Sequence, residues 1–84
     1  MTITDLDGRR GAAILTHWIN RNPEGAHAIL DEARADDRME ALARGILSAA
    51  SIAARNPDTQ EVDAEFVERL RQLTLRFAAR DAAD

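Results

Sequence analysis

Apolar side chains recur along this chain at intervals of three and four, with charged and small polar residues between them. That period belongs to amphipathic helices, and it predicts four of them, over residues 5–21, 23–35, 37–55 and 62–81. No stretch alternates with the period of two that a half-buried strand requires. The expected fold is all-α, a single domain built as a small bundle of about four helices with short loops, and self-associating.

Each helix has its own start and stop signals. Thr4 or Asp5 can cap the first, which runs through Gly11–Ile19 and ends ahead of Pro23. Gly8 and Gly11 weaken its first turns by roughly 1 kcal/mol each relative to alanine, so a start nearer Arg9 or Arg10 is the alternative. Asn22-Pro23-Glu24 opens the second helix: the asparagine accepts from free amides, proline suits the first helical position, and glutamate favours the positive end. Its expected buried stripe is Ala26, Ile29, Leu30 and Ala33.

Asp36 or Asp37 is the expected cap of the third helix, whose main face reads Met39, Leu42, Ala43, Ile46, Ala49, Ala50 and Ala53. From Ala41 to Ala54 nearly every residue that is not a large aliphatic is tiny, so other helices can approach it closely. Asn56-Pro57-Asp58 stops it, since the residue before proline is pushed out of the helical region. The last helix opens at Asp63, with Asp58 or Thr59 as an earlier alternative. It carries Phe66, Leu70, Leu73 and Phe77 at spacings of 4, 3 and 4, a seam of about two heptads. Residues 78–84 are expected to fray.

Composition narrows the function. Hydrophobic residues make up 45% of the 84, but 17 of them are alanine, so the core is small and self-association is one remedy for a marginal monomer. Without cysteine there is no disulfide, thiolate zinc site or cysteine nucleophile. The acidic N-terminal stretch lacks the basic and apolar regions of a signal peptide, and no apolar run reaches a membrane span, so a cytoplasmic location and no membrane partner are expected. Fifteen acids against 11 arginines give a net charge of −4, which weighs against nonspecific nucleic-acid affinity.

Candidate chemistry is thin. His17 and His27 form neither a HExxH motif nor an i, i+4 pair, and Ser48 and Ser51 lie within a helix with no base at matching spacing. Asp31, Glu32, Asp36, Asp37 and Glu40 crowd the second turn, but the glycine-bearing calcium-loop pattern is absent. No catalytic residue, metal or cofactor is expected, nor enzymatic activity.

What remains are apolar residues off the main stripes. Leu47, Ile52 and Leu75 lie there, and Trp18 reads either as core or as an interface anchor. These four are the candidate interface, for a second copy of the chain, a host protein, or both. The runner-up is a dimeric nucleic-acid-binding regulator using Arg69, Arg76 and Arg80 of the last helix. Against it, Glu65→Arg69, Glu68→Arg71 and Glu68→Gln72 have the spacing of intrahelical pairs.

Asn22-Pro23-Glu24-Gly25-Ala26 followed by Ile29-Leu30-Asp31-Glu32-Ala33, the alanine-rich helix, and Leu70-Arg71-Gln72-Leu73-Thr74-Leu75 together resemble small helical proteins of actinobacteria and their phages. Asn22 stands where that pattern often has aspartate. The resemblance spans most of the chain and implies a phage or bacterial cytoplasmic accessory protein. It carries no mechanism with it.

Overall fold

The structure, a computed structural model, describes residues 4–83. The chain is all-α, with helices α1 (Asp5–Ile19), α2 (Pro23–Ala35), α3 (Met39–Ala53) and α4 (Ala64–Ala83). It divides into two compact units between Ile52 and Ala53, the first holding α1, α2 and nearly all of α3, the second holding α4.

In the first unit α1 starts at Asp5 despite its glycines, because Thr4 and Asp7 form a reciprocal capping box. The Asp7 amide donates to Thr4 Oγ1 at 3.3 Å, and the Thr4 amide donates to Asp7 Oδ2 at 2.9 Å. Asn22 caps α2, its Oδ1 accepting from the Gly25 amide at 3.1 Å, and Pro23 follows at the first helical position. The core is Ile14, Ala26, Ala33 and Leu42, with Ile29, Leu30 and Ile46 packed against it. The stripe expected on α2 is therefore the one that turns inward.

The turns after α1 and α2 repeat one geometry. Arg21 and Asp37 adopt left-handed backbone, φ 56° and 55°. In each turn two amides fold back onto carbonyls of the helix just ended: Arg21 to Trp18 and Asn22 to His17, then Asp37 to Arg34 and Arg38 to Ala33. Asp36 is thus the C-terminal cap of α2 and not the expected N-cap of α3, whose first hydrogen bond runs from the Leu42 amide to the Arg38 carbonyl at 2.8 Å.

The buried face of α3 follows the expected one at Leu42, Ile46, Ala49 and Ala50 and departs from it at the start of the helix. Ala41, Leu42 and Gly45 are buried while Met39 and Ala43 are exposed. The cause is a close crossing with α1: a Cβ placed on Gly11 would lie 2.5 Å from both the Gly45 carbonyl oxygen and the Ile46 nitrogen. Backbone meets backbone there, and the glycine pair sets which side of α3 faces inward.

Charge fixes the same junction. Asp7 is fully buried and takes the Arg38 fork, Nε to Oδ1 at 3.2 Å and Nη2 to Oδ2. One turn on, buried Arg10 spans Glu32, 2.9 Å from Nη2, and Asp36, 2.5 Å from the same nitrogen. Two arginines therefore tie the start of α1 to the end of α2 and the turn beyond it.

In the second unit the chain leaves α3 through a closed loop. Arg55 and Val62 form an antiparallel bridge, Asn56 Oδ1 accepts from the Asp58 and Thr59 amides, and Gln60 takes φ 63°. Asp63 Oδ1 then caps α4, accepting from the Glu65 amide at 3.0 Å and the Phe66 amide at 3.4 Å. The helix continues to Ala83, past the expected end at residue 81.

Candidate protein-contact surface

The sequence of α4 dictates a helix with one apolar seam, and within its unit that seam is uncovered. Phe66 is half-buried, but Leu70, Leu73 and Phe77 are 49%, 41% and 61% exposed. Single exposed apolar side chains are ordinary on a soluble protein; three in line, with Phe66 half-buried one turn before them, form a stripe along the 20-residue helix. Val67 flanks the seam and Leu75 lies on the opposite side, both exposed.

The charged residues of α4 are largely engaged with one another. Arg69 lies 4.0 Å from Glu65, Arg71 lies 3.7 Å from Glu68, and Gln72 Nε2 donates to Glu68 at 3.0 Å, the three pairs expected from spacing. Arg80 stacks over Phe77, 5.6 Å from the ring centre, at the end of the seam. Of the arginines in the nucleic-acid reading, Arg69 is thus paired with a carboxylate. Arg76 and Arg80 have no ion pair among the described residues.

The first unit carries a second apolar surface. A groove of about 220 Å³ runs between α1, α2 and α3, lined by Ile14, Leu15, Trp18, Ala26, His27, Leu30 and Ile46. Trp18 forms its rim and is 68% exposed, so it lies outside the core. Leu47 and Ile52 are exposed on α3. Five residues apart, they lie roughly 140° from each other around the helix and share no face. Trp18, Leu47, Ile52 and Leu75 are therefore all at the surface, but the first three form no single patch on their unit.

The polar candidates have structural partners. His17 is half-buried, its Nδ1 3.1 Å from the side-chain Nδ2 of Asn22, which caps α2. His27 is exposed, and Ser51 donates to the Leu47 carbonyl at 2.8 Å. Within the acidic cluster, Glu32 and Asp36 hold Arg10, Asp31 holds Arg34 at 3.1 Å, and Glu40 holds Arg44 at 3.1 Å. Among the described residues no three histidine or carboxylate side chains converge as a metal site.

Asp7, Arg10 and Arg38 were not singled out by sequence reasoning. The Arg38 guanidinium, with the Thr4 amide, holds the Asp7 carboxyl well below the usual carboxylate range, outweighing the opposing effect of burial. Hydrogen bonds to Asp36 and Glu32 bind the Arg10 proton more firmly still. The only sequence signal was Asp7 in the third position after Thr4, the spacing of a capping box. Nothing in the spacing ties Asp7 to a residue 31 positions on. Such groups anchor helices.

Compared with known proteins, the chain matches no family model, no curated protein and no solved structure. Among the described residues no helix is long and apolar enough to cross a membrane.

Proposed function

We propose that the protein is a small non-enzymatic interaction module that acts by self-association through α4, with the first unit as a stable platform. The observation that carries this reading is the uncovered seam of Leu70, Leu73 and Phe77. An isolated amphipathic helix is marginal in water, and covering its apolar face is the ordinary source of its stability. The resemblance to helical proteins of actinobacteria and phages supplies the setting, a bacterial or phage accessory protein.

Light scattering across a concentration series tests the reading. Mass is expected to rise above that of one chain, and Leu70→Asp is expected to return it to one chain while the first unit stays folded by circular dichroism. Leu75→Asp probes the opposite side of α4 in the same assay. A single-chain mass at every concentration, with α4 helical, would sink the proposal. DNA binding at low salt that is lost on replacing Arg76 and Arg80 would favour the nucleic-acid reading instead.

A further inference from the structure

We infer that α4 pairs with α4 of a second copy in antiparallel orientation, centred between Leu70 and Leu73; this rests on the self-association proposed above. The seam alone does not choose a direction, because its spacings of 4, 3 and 4 read the same from either end. Charge does choose. The acids at the start of α4 are Asp63, its cap, with Glu65 and Glu68, whereas Arg69, Arg71, Arg76 and Arg80 follow, with Asp81 the one acid beyond them in the helix. Antiparallel pairing lays each acidic half on the basic half of the second copy. Parallel pairing sets like charge beside like charge along both halves.

The register is set by the same midpoint. Leu70 faces Leu73 of the second copy, Phe66 faces Phe77, and Asp63 meets Arg80. That last contact closes each end of the seam with an ion pair between groups that have no ion-pair partner within the chain among the described residues. The like charges brought nearest are Arg69 and Arg76, and Glu65, already 4.0 Å from Arg69, stands beside them. In the parallel alternative Arg76 gains Asp81, but Arg80 faces Arg80 and Asp63 faces Asp63. A seam of about two heptads is short, so the dimer exchanges readily with monomer.

The chain has no cysteine, so single labels can be placed cleanly. Ala64→Cys and Ala79→Cys, both off the seam, carry nitroxides, and dipolar spectroscopy reads the distance between copies. Antiparallel pairing puts two Ala64→Cys labels roughly 25 Å apart and brings Ala64→Cys of one copy alongside Ala79→Cys of the other in a mixed sample. Arg80→Glu is expected to weaken association about tenfold. A dimer with short Ala64→Cys to Ala64→Cys distances would overturn this inference and leave self-association through α4 standing, whereas one indifferent to Leu70→Asp would overturn both. A single-chain mass throughout removes both.

Discussion

Gly11 of α1 and Gly45 of α3 meet backbone to backbone, with no room for a side chain between them. A Cβ on Gly45 would fall against the Asp7 carbonyl, and one on Gly11 against the Gly45 carbonyl. Gly8, three residues before Gly11 on the same helix, has open space around it.

The two kinds of glycine therefore predict opposite signs. Gly11→Ala and Gly45→Ala are expected to lower stability by about 1–3 kcal/mol or more, because rigid backbone must move. Gly8→Ala is expected to raise it by roughly 0.5–1 kcal/mol through helix propensity alone. Urea titration of the three variants side by side checks this, and a loss for Gly8→Ala comparable to that for Gly45→Ala would contradict the crossing described.

Asp7 predicts an acid-sensitive fold. Its folded carboxyl stays ionised to lower pH than the same group in the unfolded chain. The stabilisation is complete above the unfolded value, about pH 4, and is lost as pH falls through the depressed folded value. Thermal melts should show stability dropping below about pH 4, with a shallower drop in Asp7→Asn, which starts from a lower stability because Arg38 loses its carboxylate. Equal slopes for the two proteins would show that Asp7 is not the linked group.

Left-handed backbone at Arg21 and Asp37 predicts two stabilising substitutions. An L side chain in that region costs about 1–2 kcal/mol, which glycine avoids at some expense in unfolded-chain entropy. Arg21→Gly and Asp37→Gly are each expected to gain roughly 0.5–1 kcal/mol in chemical denaturation. Both turns would have to differ from those described for these variants to lose stability.

Trp18, exposed on the rim of the groove, gives an optical check. In dilute protein iodide should quench its fluorescence almost as well as that of a short tryptophan peptide, and emission should resemble indole in water. Efficient shielding in the monomer would place Trp18 inside the core after all.

How much of the fold was legible in the sequence depends on the residue. The α2 helix was readable whole, since Asn22-Pro23 sets its start and Ala26, Ile29, Leu30 and Ala33 leave one stripe to bury. The tripeptide Arg-Asn-Pro occurs again at residues 55–57 and there closes a loop. Beyond Pro23 the chain offers apolar residues at helical spacing, whereas Asp58-Thr59-Gln60-Glu61 offers nothing to bury. The inward side of α3 was legible at Leu42 and Ile46 but not at Ala41 and Gly45, because counting large side chains overlooks a contact made by their absence. The seam on α4 was evident from spacing, but its exposure was not, because an amphipathic pattern states that a face needs cover without saying what provides it.

The ion pairs around Arg10 and Arg38 join residues 22, 26 and 31 positions apart. During synthesis α1 therefore emerges well before the groups that hold it. At about 5–20 residues per second, it waits roughly 1–6 s for Glu32, Asp36 and Arg38, and Gly45 comes later still. Over that interval Ile14, which the finished unit buries, lies open to whatever is near the ribosome. The start of α1 is consequently held only once α2 and the turn beyond it have been made.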